Sequence, residues 1–280
     1  MYSIEELANH FRKLGIAAAD TVMLHASVRA IGEIAGGPDS IHLALKSALT
    51  QEGTLMMYAS CPQYYDEVGR GNLTPDQESE LLEKLPAFDP VTARAARDNG
   101  VLVEFFRTYP DSRVNHHVAR FVFWGKRTDY LISSQPWNYG FGKDSALERF
   151  LHMSGKIVLA GSDHDAVTFL HYVEHVADFG GKRIVRYQVP ILENGVRVWR
   201  SMEEVDTSDG AHVNWPDRFF AKIVDTFLAK TGNPGGRVGD AVTHVINARE
   251  LFNFARTVME TVAADARAAE SMKEDVGSPR

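Results

Sequence analysis

The chain has 280 residues, 44% of them hydrophobic and 24% charged. That balance is globular and excludes collagen-like, coiled-coil and disordered classes. The net charge of −7 argues against nucleic-acid binding, which needs a dense Lys/Arg face, and mildly favours a cationic ligand. The single cysteine, Cys61, precludes an internal disulfide and points to a reducing compartment. No apolar run reaches the ~18 residues of a membrane span, and the first residues lack a signal-peptide pattern, so a soluble cytoplasmic protein is expected.

In chain order, Ser3-Ile4-Glu5-Glu6 has the form of a capping box, and Ile4, Leu7, Ala8, Phe11 and Leu14 follow at helical spacing until Gly15. Residues 21–25 read as a buried strand. Asp39 or Ser40 caps a helix carrying Ile41, Leu45, Ala48 and Leu49. Gly53 breaks it, and residues 54–58 form the next strand. Strand, helix and strand in so short a span imply a βαβ unit and a parallel sheet. Residues 60–99 read as a polar insertion, acidic at 76–80 and holding four prolines. Such a stretch is either a functional loop or a tolerated surface insertion.

Helical patterns cover 100–109 and 144–153, and strands cover 121–124 and 156–160. A helix is expected at 165–179. Strands at 183–192 and 196–205 flank Asn194-Gly195, a strong hairpin signal. Helices are expected at 215–230 and 247–264, and residues 265–280 look disordered. The expected fold is α/β, with a mixed, mainly parallel sheet flanked by helices and a C-terminal antiparallel ribbon. No linker divides the chain, so residues 1–264 are expected to form one domain.

Residues 161–175 are the most informative. A strand ends at Gly161, a polar loop follows, and a helix begins, which is where open α/β sheets bind ligands. Thr168, His171 and His175 share one helix face, and Glu174 lies three residues from His171, where it can brace the imidazole. In the ribbon, Glu204 and Asp206 point to one side and Glu203 to the other. Two carboxylates on one face can orient a histidine or attract an amine; they also suit an exposed edge strand that resists aggregation. Amides of His25-Ala26-Ser27-Val28-Arg29, after the first strand, can hold a phosphate or carbonyl. No dinucleotide fingerprint or Walker pattern is present. His171 and His175 have metal-ligand spacing, and Asn115-His116-His117 and His164 add imidazoles, but His-Glu-x-x-His is absent. Cys61 follows a strand and has no local nucleophile signature.

Taken together, these stretches resemble the aminoglycoside 3-N-acetyltransferases, the antibiotic N-acetyltransferase family. The resemblance runs from about residue 4 to 262. It is carried by Met23-Leu24-His25-Ala26-Ser27-Val28-Arg29-Ala30-Ile31-Gly32, Gly36-Gly37-Pro38, and Pro86-Ala87-Phe88-Asp89-Pro90. Glu104-Phe105-Phe106-Arg107, Tyr139-Gly140-Phe141-Gly142, Thr168-x-x-His171, Asp206-Thr207 and Val238-Gly239-Asp240 follow in the family's order. Asn115-His116-His117-Val118 departs from it, since relatives commonly have a His or Asn followed by Pro.

The resemblance implies an α/β fold unlike the small N-acetyltransferase fold. It implies acetyl transfer from acetyl-CoA to the 3-amino group of a 2-deoxystreptamine aminoglycoside, with no metal. It places His171 as general base and pairs it with Glu204 and Asp206, with Glu203 competing for the role of Glu204. The coenzyme groove maps to His25, Ala26, Ser27, Val28 and Arg29, to Asn99, Gly100 and Val101, and to Thr168. Tyr64, Asp66, Glu203 and Asp209 are expected to meet the cationic substrate, as a monomer or homodimer. Other readings are acetylation of a different amine metabolite, a metal-dependent hydrolase on His164, His171 and His175, a Cys61 acyl-enzyme, and a protein that only sequesters cationic antibiotics.

Overall fold

Apolar runs without alternation demand cover on both faces of a strand, and here they receive it. The computed structural model describes residues 1–208, 211–212, 214–265 and 268. The strands are β1 (Thr21–Ala26), β2 (Thr54–Tyr58), β3 (Arg113–Val114), β4 (Phe121–Gly125), β5 (Lys156–Ala160), β6 (Ile184–Glu193), β7 (Val196–Val205), β8 (Gly236–Val238) and β9 (Ala241–Asn247). Seven form a sheet in the order β3-β4-β2-β1-β5-β9-β8. The central β2, β1 and β5 are mutually parallel, with Thr21 beside Thr54 and Val22 beside Lys156. β4 and β9 oppose them, and β3 and β8 pair antiparallel to those two, which restores the central direction.

The helices are α1 (Ile4–Lys13), α2 (Val28–Ile31), α3 (Asp39–Leu49), α4 (Pro75–Lys84), α5 (Val101–Thr108), α6 (Thr128–Ile132), α7 (Ala146–His152), α8 (Phe169–Val176), α9 (Phe219–Thr231) and α10 (Ala248–Ala264). Successive strand residues split between two cores. Val22, Leu24, Leu55 and Val158 pack with Phe11 of α1, Leu45 of α3 and Phe106 of α5. Met23, Met56, Ile157 and Leu159 pack with Phe150 of α7, Val173 of α8, Ile223 of α9 and Leu251 of α10. Each fully buried Leu, Ile or Phe contributes about 1.5–3 kcal/mol relative to exposure, so both layers are anchored through the sheet.

The expected ribbon is present, with Asn194 and Gly195 both at positive φ in its turn. It is a separate two-stranded sheet rather than part of the main one. It closes a third core with the 60–99 insertion, where Tyr65, Leu85 and Phe88 meet Tyr187, Val189 and Met202. The insertion is less irregular than expected. Thr74-Pro75-Asp76-Gln77 makes a capping box with proline in the first turn, and the ten-residue α4 follows.

Three further expectations change. The helix expected at 165–179 is a 3-10 turn (His164–Ala166) followed by the shorter α8. α3 has no side-chain cap, because Ser40 Oγ donates to the Ala35 carbonyl instead. β8 and β9 were not anticipated; β8 is only three residues long. The 265–280 tail, apart from Asp265 and Ala268, lies outside the described residues.

Candidate active site

Because β1, β2 and β5 are parallel, their carboxyl ends share one edge. The chain runs from β1 to β2 on one side and returns to place β5 on the other. This is a topological switch point, the place where open α/β sheets bind ligands. The Ser27 amide donates to the Ala160 carbonyl (3.0 Å) and ties the two ends together. Ser27 Oγ accepts the Ala30 amide at 3.2 Å, so Val28 and Arg29 stand in α2, not in a loop. Asn99 Nδ2 donates to Ser60 Oγ (2.8 Å), which brings Asn99, Gly100 and Val101 to the end of β2. Gly100 holds φ +79° immediately before α5, a conformation that favours glycine. Thr168 is buried at the start of α8, and its side chain does not cap the helix. His25–Arg29 thus follow the end of β1 and Asn99–Val101 approach the end of β2, while Thr168 lies beyond β5 at the start of α8.

Two buried polar atoms at this edge lack partners: His25 Nε2 and Ser162 Oγ. Burial holds His25 down at about 4, so the ring is neutral at physiological pH. Unsatisfied groups of this kind fit a ligand that brings its own donors and acceptors.

α8 presents His171 to a cavity of about 350 Å³ lined by Asp165, Glu174, His212, Trp215 and Phe220, among others. His171 Nδ1 donates to Glu174 Oε2 at 2.9 Å, and His212 Nε2 donates to Glu174 Oε1 at 2.7 Å. Burial works to raise the Glu174 carboxyl, but the two imidazole hydrogen bonds outweigh it and leave the group below the ordinary glutamate range. With Nδ1–H directed at a carboxylate, the neutral tautomer of His171 leaves Nε2 bare as an acceptor. Its side chain keeps 25% exposure. Phe141 and Phe220 pack on the ring, with centroids 5.2 and 5.0 Å away.

Glu204 and Asp206 do not orient His171. The ribbon alternates as expected, and Glu204 does turn inward, but it meets His175 Nε2 one helical turn further on. It also accepts the Gly140 and Val205 amides at 2.7 and 3.1 Å. Asp206 pairs with Arg183 and accepts Ser208 Oγ at 2.6 Å. Glu203 faces the other way, toward Tyr139 and Arg186. Asp66 is tied to Arg70 at 2.9 Å, and Tyr64 is exposed in the insertion. Asp209 lies outside the described residues. The partner of His171 is Glu174, the residue that the i+3 spacing indicated.

The sequence profile described as aminoglycoside 3-N-acetyltransferase matches residues 23–260. The chain belongs to the aminoglycoside 3-N-acetyltransferase family. Aminoglycoside N(3)-acetyltransferase III of Pseudomonas aeruginosa is 38% identical over 264 residues, covering 92% of this chain and 94% of that protein. The solved structure of AAC-IIIb in a binary complex with CoASH superposes with a TM-score of 0.87 at 35% identity, covering 93% of this chain and 97% of that one. AAC-VIa bound to sisomicin gives a TM-score of 0.85 at 33% identity, covering 93% and 98%.

Within this family member the histidines do not converge on a common point. His164 pairs with Asp225 (2.6 Å), His171 with Glu174 and His175 with Glu204. Among the described residues no group of three or more His, Cys, Asp or Glu is placed to hold a metal ion. Burial pushes the Cys61 thiol far above its usual range, which removes the thiolate a Cys61 acyl-enzyme needs. Asn115 and His117 are fully buried and structural: Asn115 Oδ1 accepts the Phe121 amide at 2.6 Å, and His117 Nδ1 accepts the Ala119 amide at 2.9 Å. His212 and Trp215 went unnoticed in the sequence, because nothing in their spacing links them to residues 165–175.

Proposed function

We propose that the protein transfers the acetyl group of acetyl-CoA to the 3-amino group of a 2-deoxystreptamine aminoglycoside, conferring resistance, with His171 as general base and residues 1–264 acting as one catalytic domain. The observation that carries this reading is the His171–Glu174 pair, with the second ring nitrogen of His171 left for the cavity. An amine that is mostly ammonium at pH 7 is no nucleophile, so a positioned base must take its proton. Glu174 fixes the tautomer and stabilises the imidazolium that forms, as the acid does in hydrolytic triads. His212 holds the other Glu174 oxygen and keeps the carboxylate from rotating.

Acetyl-CoA supplies the thioester carbonyl. His25–Arg29, Asn99–Val101 and Thr168 are the residues to hold it, supported by the orphaned polar atoms at the β1 and β5 ends. The names of the relatives support an aminoglycoside acceptor. Asp165, Glu174 and Asp217 around the cavity supply the negative charge that a polycationic substrate needs, since Glu203 and Asp66 are engaged by arginines.

Coenzyme-A release is the test, with gentamicin-like, neomycin-like and apramycin-like acceptors and the product nitrogen located by NMR. Turnover with acetylation at the 3-amino group is expected. Turnover only with a simpler amine would move the protein to the alternative acceptor class.

A further inference from the structure

The Glu174 carboxylate is shared between two imidazoles. Oε2 takes the N–H of His171 at 2.9 Å, and Oε1 takes that of His212 at 2.7 Å. Among the described residues, no other side chain donates to it. His212 comes from the segment between β7 and α9, far along the chain from α8. Its side chain is 4% exposed. The ring lies edge-on to Trp215 and Phe179, with centroids 4.3 and 5.3 Å away. Trp215 rests in turn on Phe219 of α9 at 4.8 Å. His212 Nδ1 has no partner among the described residues, so Glu174 is the one polar group this ring meets.

We propose that His212 sets the basicity of His171 through Glu174 and is a positioning residue for the proposed acetyl transfer. The inference rests on His171 being the base. Hydrogen bonds to a carboxylate stabilise its charge, so a second donor leaves less of that charge to stabilise the first. Without His212, Glu174 would hold the imidazolium of His171 more firmly. A ring that keeps its proton cannot take another from the ammonium of an acceptor. With His212 in place, the carboxylate still fixes the tautomer of His171 but lets the ring release its proton more readily between turnovers.

The other charges around the pair are placed differently. Asp165, Asp217 and Arg218 line the cavity that His171 faces. Arg218 is paired with Asp163 at 2.6 Å, and Asp165 accepts the Ala221 amide at 3.0 Å. On the ribbon side, Asp206 is taken by Arg183, and on α8 His175 is taken by Glu204. Lys182 acts on Glu174 through space, while its Nζ donates to the His175 and Ala177 carbonyls at 2.8 and 2.6 Å. Phe141 and Phe220, the rings packed on His171, carry no charge. His212 is therefore the direct contact through which the charge of Glu174 is divided.

The test compares the intact protein with three variants. His212→Phe keeps a ring but not the N–H, His212→Asn is too short to reach Glu174, and His212→Gln returns an N–H to about the position of Nε2. NMR follows the titration of the His171 imidazole in each without substrates. Coenzyme-A release with gentamicin gives kcat/KM between about pH 5.5 and 9. In His212→Phe and His212→Asn, His171 is expected to hold its proton about three- to tenfold more tightly. Its titration and the acid limb of kcat/KM should both move up by about half a unit to one unit. His212→Gln should recover most of that shift. An unmoved His171 titration in a folded donor-free variant overturns the inference, and so does a shift in His212→Gln as large as in the other two. If His171→Ala is inactive beside that unmoved titration, only the role of His212 falls; an active His171→Ala removes the base itself.

Discussion

Two histidine–carboxylate pairs stand one turn apart on α8, and they differ in what surrounds them. His171 keeps 25% of its side-chain surface exposed, while the side chain of its partner Glu174 is 3% exposed. His175 and Glu204 are 2% and 7% exposed. Both nitrogens of His175 are engaged: Nδ1 donates to the His171 carbonyl at 2.6 Å, and Nε2 is hydrogen-bonded to Glu204. Glu204 in turn holds the Gly140 amide and so seats the loop that carries Phe141 against His171. The same two residue types thus make the proposed base where one nitrogen meets a cavity, and a clamp where neither does.

Exchanging either histidine for alanine breaks this comparison most directly. His171→Ala should lower kcat/KM by about 10³–10⁴-fold while coenzyme binding by calorimetry stays unchanged. His175→Ala leaves the buried Glu204 carboxylate with only the Gly140 and Val205 amides, at a cost of about 3 kcal/mol or more. That corresponds to a fall in Tm of about 10 °C or more for a chain of this size, with kcat of the folded fraction held within about tenfold. Lost turnover with unchanged Tm in His175→Ala would reverse the two roles.

Glu174→Gln sharpens it, because the shape survives while the charge that stabilises the imidazolium is gone. A drop of about 10²–10³-fold in kcat is expected, and near-normal kcat would leave His171 acting alone.

A smaller effect concerns acid stability. His25 is neutral in the fold down to about pH 4. Below about 6.5 the unfolded chain takes up a proton that the folded one does not, so stability is present above that pH and is lost as pH falls from 6.5 toward 4. The loss is at most about 3 kcal/mol, and His25→Gln should flatten that part of a Tm-against-pH curve. The smallest expected effect is screening. Substrate KM should rise with salt between low and physiological ionic strength, and a flat response would remove charge attraction by the cavity carboxylates.

Local signals were legible wherever backbone chemistry is local. Ser3 and Glu6 form the capping box their spacing indicates, and Asn194-Gly195 makes the expected turn. Glu174 was legible for the same reason, since three residues along a helix fix a neighbour. The capping box at Thr74 was present but hidden by prolines that read as loop. β9 lacked a signal, because Ala241–Asn247 joins polar Thr243 and His244 to apolar residues and is placed by β5 rather than by its own pattern. His212 reaches Glu174 from 38 residues away, a contact set by tertiary packing alone. Glu204 and Asp206 were placed on the correct face, but which histidine Glu204 meets depends on where the separate ribbon docks, and strand alternation does not encode that.

The pairing of β5 with β9 has a consequence for synthesis on the ribosome. β5, one of the two strands at the switch point, meets its second neighbour only through Ala241–Asn247. Until that stretch emerges, the nascent chain carries a bare strand rim of the kind that recruits foreign strands. Docking of β9 therefore marks the passage from an adhesive intermediate to one whose central strand is covered, and chaperone demand should be greatest just before it.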